Sequence, residues 1–324
     1  MAGLITRRAA LASAALLPLA AHAQAAPWPS APVRFIGLFP PGGGTDILSR
    51  IWCAKMADIT NQQFIVENRS GSGGNVGTHA IAQSRNDGSV IGLASVSSLA
   101  ISPTLYSSLP FDVTRDFSYL GGLWQLPNML VVHNDVAARS IPELIALLKA
   151  NPGRYSFASS GSGTSVHLSG EMFKQMAGVD IIHVPYRGAA PAHIDLLAGR
   201  VHMIFDNIPQ ALAAHRGGTL RALAVTGAQR SPQAPEVPAM AEFLPGFEIT
   251  SWGGVLGPAG MAPALVNRIA SLTKQAVETR KVTERYIENG ATPWPIGPEE
   301  LAAFRAADAA RFAPLIRASG ARVE

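Results

Sequence analysis

Three times along this chain, a short apolar segment runs into a glycine-rich loop and then into a stretch with helical periodicity. The first apolar segment, residues 33–39, leads into PPGGG; residues 64–67 lead into SGSGG; and residues 155–159 lead into SGSGT. Apolar strands that alternate with helices form sheets of mainly parallel strands, with helices packed on the faces. The repeated pattern therefore predicts an α/β protein.

Helices are expected directly after each of these loops. The first begins with Thr45 or Asp46 as its N-cap, because apolar residues then recur at three- and four-residue spacing. The second is expected over residues 75–83 and the third over 165–176. Further strands are predicted at residues 90–94, 129–132, 181–184, 203–205, 220–225 and 249–256.

The length of the chain favours two domains or two lobes, since 324 residues exceed the usual size of one domain. A first crossing between lobes is placed near residues 125–128, and the Pro- and Gly-bearing stretch 230–263 is interpreted as the return crossing. The predicted division is lobe 1 over residues 26–126 and 227–324, and lobe 2 over residues 127–226.

The first 25 residues have the features of a signal peptide. Arg7 and Arg8 precede an apolar run from Ala9 to Leu19, and small residues follow around Ala23. Both a twin-arginine signal and an ordinary secretory signal agree with this pattern. The mature protein is therefore expected to be exported and periplasmic. Because Cys53 is the only cysteine, no intrachain disulfide is possible, and its apolar neighbours indicate a buried structural thiol.

The charge balance argues against nucleic acid as a partner. The net charge is +4, and Arg7 and Arg8 contribute two of these charges. The remaining basic residues are dispersed and form no run interleaved with aromatic residues. Nucleic-acid binding is not expected.

The glycine loops are candidate anion sites. A helix N-terminus presents unpaired backbone N–H groups and a partial positive charge, so a carboxylate can bind there without an Arg. No Lys-Ser or Lys-Thr pair follows the glycines, and Val76 and Val166 occupy the last glycine position of a dinucleotide motif. Nucleotide binding is thus disfavoured. Simple tight turns remain the alternative for any single loop.

A hydrolase would need a nucleophile and a base, and Ser165, His167 and Asp206 are the nearest candidates. No G-x-S-x-G elbow exists, and Ser165 is better explained as a helix N-cap. His183 lies in an expected strand, and the histidines have no metal-ligand spacing. No catalytic residue, metal or cofactor is therefore expected. Asp206 follows the apolar run MIF, so it either faces a cleft or caps the next helix.

Several long motifs, in order along the chain, closely resemble the Bug-type substrate-binding receptors of tripartite tricarboxylate transporters. They are FPPGGGTDILSR from Phe39, ENRSGSGGNVG from Glu67, LYSSLPFDVTRDF from Leu105, GSGTSVHLSGEMFK from Gly161, HVPYRGAAPAHIDLLAGRVHMIFDN from His183 and SWGGVLGPAGMAP from Ser251. The resemblance covers nearly the whole expected mature chain. Two departures, in SSLAISPTLY and SYLGG, lie outside the glycine loops.

The resemblance implies a two-lobed periplasmic-binding-protein fold of type II. The protein would be a monomeric receptor that captures a small carboxylate between its lobes and delivers it to a membrane permease of the tripartite tricarboxylate type, with no chemical change. A receptor that signals to a membrane sensor kinase is the alternative. The resemblance implies ligand-binding roles for Pro41, Gly43, Thr45, Asp46, Ser160, Gly163, Thr164, Ser165 and Asp206.

The identity of the carboxylate stays open at this stage. Phe39, Trp124 and Trp252 would form an apolar wall for an aromatic acid, or they pack in the core or at the hinge. From Pro298 onward, apolar residues lie on one face of a predicted C-terminal helix, although Asp308 interrupts the stripe.

Overall fold

The structure, a computed structural model, describes residues 28–323, so the predicted signal peptide lies outside the described residues. The strands are β1 (Val33–Gly37), β2 (Phe64–Asn68), β3 (Val90–Ser95), β4 (Phe117–His133), β5 (Ser156–Ser159), β6 (Ile182–Pro185), β7 (Met203–Asn207), β8 (Leu220–Val225), β9 (Thr250–Pro258) and β10 (Thr292–Pro293). The helices are α1 (Gly44–Thr60), α2 (Asn75–Ala82), α3 (Ser102–Leu105), α4 (Ile141–Ala150), α5 (Ser165–Ala177), α6 (Ala189–Leu197), α7 (Ile208–Arg216), α8 (Pro263–Glu278), α9 (Arg280–Glu288) and α10 (Pro298–Ser319).

The sheet follows the order β2-β1-β3-β9-β4-β7-β5-β6, with β8 and β10 also paired to β4. Pairs at the two outer ends are parallel, as the alternating strand and helix pattern predicts. The central pairs that involve β9 and β4 are antiparallel, so the sheet is mixed. We call the group around β2-β1-β3-β9 the first lobe and the group around β7-β5-β6 with β8 the second lobe.

Strand β4 runs through both lobes. Residues 117–127 pair with β9, whereas residues 128–133 pair with β7 and β8. Only residues 129–132 of this strand were predicted, because the register shifts near Gly121 and Gly122 weaken the local strand pattern. Long-range pairing with β9 overrides that local weakness.

A second connection between the lobes runs close to β4. The Thr226 hydroxyl donates to Ile249 O at 2.6 Å and accepts from the N–H of Asn128 at 2.8 Å. Within the segment between Thr226 and Ile249, Met240 and Phe247 are buried in the core of the second lobe. The lobe boundaries predicted from the sequence stay a prediction.

Trp124 and Trp252 are core residues, with exposed fractions of 0% and 2%. The side chain of Asp308 explains the interruption in the apolar stripe of α10, because it accepts a hydrogen bond from Trp252 Nε1 at 2.8 Å. Phe39 is only partly buried. Of the three aromatic residues considered as a wall, Phe39 alone is exposed toward a cavity.

Two expected helix caps were wrong by one to three residues. The N-cap of α1 is Gly43 rather than Thr45 or Asp46, and that of α5 is Thr164 rather than Ser165. The Thr164 hydroxyl accepts from the N–H of His167, which frees the Ser165 side chain for another role. Cys53 is buried in α1, and burial raises the pKa of its thiol.

Within residues 28–323, no helix has both the length and the apolar character needed to cross a membrane.

Candidate functional site

A cavity lies where the two lobes meet, beyond the carboxyl ends of β1, β3, β5 and β7. The empty space between its walls is about 410 Å³, which includes space open to solvent. It is lined by Phe39, Pro40, Gly43, Gly44, Thr45, Ser95, Ser97, Ser160, Thr164, Ser165, Val166, Ala189, Asp206, Asn207 and Ser251.

The cavity wall is rich in hydrogen-bond donors, and none of the described residues that form it is Lys or Arg. The first residues of α1, α5 and α6 border it, namely Gly44, Ser165 and Ala189. Each helix start presents N–H groups with no partner inside the helix, together with the positive end of the helix dipole. Seven Ser or Thr residues also contribute to the wall. This arrangement suits an anion held by neutral donors.

The first glycine loop is held in place by Asp46 and Asn68. The Asp46 carboxylate accepts from the N–H of Gly42 at 3.0 Å, from Asn68 at 2.9 Å and from Arg50 Nε at 2.9 Å. Asn68 also donates to Phe39 O at 2.8 Å. Burial alone would raise the pKa of the Asp46 carboxyl, but the hydrogen bonds from Arg50, Asn68 and Gly42 together lower it. Asp46 therefore positions the loop as an anion.

The third glycine loop is held from beneath by side chains of β5, β6 and α5. Ser159 Oγ accepts from the N–H of Gly161 at 3.2 Å and lies 2.7 Å from His183 Nε2. The Thr164 hydroxyl donates to Gly161 O at 2.8 Å. The backbone of Gly161 and Gly163 has positive φ, at +131° and +83°, which only glycine adopts without strain.

His167 also supports this loop and packs against His183. Its Nδ1 accepts from the N–H of Gly163 at 3.3 Å, and its ring stacks on that of His183 with centroids 4.1 Å apart. Burial, with Lys174 nearby, lowers the pKa of His167 to about 4. Burial, with His167 and Lys174 adding to it, lowers the pKa of His183 to about 3. Both rings are therefore neutral near pH 7.

Asp206 is the only acidic residue in the cavity wall within residues 28–323. Its Oδ2 lies 2.7 Å from His193 Nε2, and its Oδ1 accepts from the N–H of Asn207 at 2.8 Å. Asp206 and His193 are 2% and 6% exposed. Asn207 is the N-cap of α7 and makes no side-chain cap, so of the two roles considered for Asp206 the structure favours the cleft-facing one.

The structure brings six of the nine predicted binding residues to the cavity wall: Gly43, Thr45, Ser160, Thr164, Ser165 and Asp206. Pro41, Asp46 and Gly163 do not line it. Pro41 is exposed at the loop, Asp46 faces Asn68 and Arg50, and Gly163 packs near Leu105 and Tyr106. Direct ligand contact by each of the nine stays a prediction.

Sequence reasoning missed part of the wall. Ser95 is the last residue of β3, Ser97 lies two residues beyond it, and Ser251 lies near the start of β9. The sequence could have indicated Ser95 and Ser97, because polar residues at the carboxyl end of a buried parallel strand face the ligand side of an α/β sheet. Ser251 had no such signal, since its place depends on the pairing of β9 with β4.

The hydrolase constellation is not assembled. Asp206 pairs with His193, while His167 faces Gly163 and His183. Among the residues that the structure describes, no group of three or more His, Cys, Asp or Glu side chains is arranged to hold a metal ion.

The two lobes touch closely beside the cavity. A Cβ atom on Gly73 of the first lobe would lie 2.6 Å from Ser162 O of the second. Next to this contact, the Tyr106 hydroxyl donates to Ser162 O at 3.2 Å. A Cβ on Gly188 would similarly lie 2.6 Å from the Pro40 ring. Small residues thus allow the lobes to approach each other around the cavity.

Comparison with known proteins agrees with this architecture. Residues 48–321 match the model of the tripartite tricarboxylate transporter family receptor. The chain is 35% identical to protein BugT of Bordetella pertussis over 308 residues, which cover 94% of each chain. The structure of R. palustris Rpa4515 with adipate superposes with a TM-score of 0.89 at 32% identity, covering 91% of this chain and 100% of that one.

A second solved structure, MatC from Rhodopseudomonas palustris with bound malate, has a TM-score of 0.84 at 25% identity and covers 89% of this chain and 99% of that one. The family match spans most of the chain, and the two-lobed fold agrees with it. The chain belongs to the Bug-type receptors of the tripartite tricarboxylate transporter family.

Proposed function

We propose that this receptor binds a small aliphatic dicarboxylate between its lobes and delivers it unchanged to a membrane permease of the tripartite tricarboxylate type. The observation that carries the proposal is the convergence of three helix N-termini and seven Ser or Thr residues on one cavity, whose wall, as far as the structure describes it, contains no Lys or Arg. Such a wall binds anions through many neutral donors.

Two solved relatives favour an aliphatic acid over an aromatic one, because the structures of Rpa4515 and MatC contain adipate and malate. An aromatic wall has less support, because Trp124 and Trp252 are buried in the core.

Neutral donors also suit a protein that must release its cargo. Hydrogen bonds to a charged group contribute roughly 1.5–3 kcal/mol each, and micromolar binding corresponds to about −8 kcal/mol. Three to five such bonds, offset by the cost of immobilising the ligand, are in this range. Opening of the lobes about the paired connections at Asn128 and Thr226 would break bonds to one wall and release the ligand.

The remaining parts of the proposal concern the setting of the protein. The mature chain acts in the periplasm as a monomer, with residues 26–126 and 227–324 forming one lobe and 127–226 the other. Membership of a transporter-receptor family supports the permease as partner. No chemical step is proposed, and ligand recovered from the protein is expected to be unaltered by mass spectrometry.

The test is a thermal-shift screen of the mature protein with C4–C6 dicarboxylates, citrate, amino acids and benzene dicarboxylates, followed by calorimetric titration. Ligand at a hundred times its Kd adds about 2.7 kcal/mol to the free energy of unfolding. We expect aliphatic dicarboxylates to give the largest shifts. Stabilisation by aromatic acids alone, or by no carboxylate, would overturn the proposal.

A variant pair localises the binding to the cavity. Ser165→Ala removes a hydroxyl from the cavity wall, and we expect a three- to tenfold loss of dicarboxylate affinity. Ser107→Ala is the control, because Ser107 is exposed and outside the cavity wall. Equal affinities of the two variants would place the site elsewhere.

A further inference from the structure

Among the described residues that line the cavity, Asp206 is the one acidic side chain in a wall otherwise rich in donors for an anion. It is 2% exposed and lies in the same wall as the start of α5 and the Ser and Thr residues. A free carboxylate there repels an acidic ligand, and because the group is shielded from bulk water that repulsion is strong. It also attracts an ammonium group, so a free Asp206 would favour amino acids.

His193 changes the character of this carboxylate. Its Nε2 lies 2.7 Å from Asp206 Oδ2, a distance at which the ring N–H donates a strong hydrogen bond to the carboxylate. The N–H of Asn207 occupies Oδ1 at 2.8 Å. Both carboxylate oxygens therefore already have donors from the protein, and His193 is itself 6% exposed.

The position of His193 ties this pairing to the ligand site. His193 lies on α6, one turn after Ala189, which borders the cavity at the start of the same helix. Helix α6 thus contributes both N–H groups to the wall and the partner of the acidic residue. Among the described residues that line the wall, no Lys or Arg side chain could pair with the Asp206 carboxylate instead of His193.

We infer that His193 is a specificity-determining residue, which masks Asp206 so that the cavity accepts a dicarboxylate and gives no advantage to its 2-amino derivative. This inference rests on the proposed function. The hydrogen bond from His193 would remove the preference that a free Asp206 would have for amino acids. His193 is a positioning residue, since it acts on the ligand through Asp206.

The experiment compares pairs of acids that differ only by an ammonium group. Succinate and aspartate, glutarate and glutamate, and adipate and 2-aminoadipate are titrated calorimetrically into wild-type protein, H193L, D206N and H193L/D206N. In H193L we expect the ratio of dicarboxylate to amino-acid affinity to fall at least tenfold, because leucine has no N–H to donate to Asp206.

The double variant separates masking from a general structural role. With Asp206 neutralised, H193L/D206N is expected to recover the wild-type ratio to within threefold. A purely structural role of His193 predicts no such rescue. The control is H215L, since His215 also faces a carboxylate, Glu236 at 3.8 Å, but lies outside the cavity wall.

Each outcome decides the question. An unchanged ratio in H193L, or no rescue in the double variant, overturns the role of His193 while the dicarboxylate receptor stands. Wild-type protein that binds none of the three dicarboxylates overturns the proposed function and the inference with it. Should H193L fail to fold, D206N decides alone: a masked carboxylate predicts a ratio change below threefold, and an unmasked one at least tenfold.

Discussion

The ring of His167 stacks on that of His183 beneath the third glycine loop, with centroids 4.1 Å apart and planes inclined by 26°. Each ring also supports the loop: His167 through the N–H of Gly163, and His183 through Ser159. Neutral rings stack without repulsion, whereas two protonated rings at this distance would repel each other.

Acid should therefore destabilise this protein through the two histidines. Their folded-state pKa values, about 4 for His167 and about 3 for His183, are below the unfolded value of 6.5. Between about pH 4 and pH 6.5 the unfolded chain binds more protons, so the free energy of unfolding falls as pH falls. Each histidine contributes on the order of 1 kcal/mol per pH unit in this window.

Urea unfolding of wild type and His183→Gln at pH 7, 6, 5 and 4.5 measures this effect. We expect the variant to have a shallower pH dependence, by on the order of 1 kcal/mol per pH unit. His215→Gln serves as the control, because both stacked rings remain. Parallel curves for wild type and His183→Gln would contradict the prediction.

The contact of Gly73 with Ser162 should control lobe closure. We expect Gly73→Ala to weaken dicarboxylate binding at least tenfold, because the new Cβ would lie 2.6 Å from Ser162 O in the closed arrangement. Gly178→Ala is the matched control: its φ is +61° against +64° for Gly73, and no atom lies within 4 Å of the added Cβ.

Both glycine variants introduce similar backbone strain, roughly 1 kcal/mol, so their ligand-free unfolding midpoints should be alike. Only the affinities, measured by calorimetry, should differ. Equal affinities would show that closure does not depend on this contact.

The hydroxyl of Tyr106 should contribute to the closed state. Tyr106→Phe removes its bond to Ser162 O, and the expected loss of affinity is about two- to tenfold, as for a single hydrogen bond. The control is Tyr119→Phe, which removes a bond to Val113 O within the first lobe and should lower stability but not affinity. Loss of affinity in both variants would argue against a specific role for Tyr106.

The bond between Trp252 and Asp308 should stabilise the packing of α10 on the sheet. We expect Asp308→Ala to lower the free energy of unfolding by about 1–3 kcal/mol, because the buried Trp252 N–H loses its acceptor. In a Trp252→Phe background the same substitution should cost less. Denaturant unfolding of the four proteins measures the coupling, and additive effects would contradict it.

Local sequence patterns specify the secondary-structure elements and loops that depend on short stretches of chain. The strand, glycine loop and helix units at residues 33–60, 64–82 and 155–177 were predicted correctly to within two or three residues, because periodicity and turn residues act locally. The same local signals indicated an anion site at helix N-termini, and the order of long motifs indicated the family.

Long-range contacts determine which side chains meet. Ser95 and Ser251 join the cavity wall through the pairing of β3 and β4 with β9, and His193 reaches Asp206 because α6 packs beside β7. The support that Asp46 gives to the first loop through Asn68 likewise depends on residues distant in the chain. Such contacts join residues far apart in the chain, and their free energy comes from long-range strand pairing and burial, which local sequence patterns do not specify.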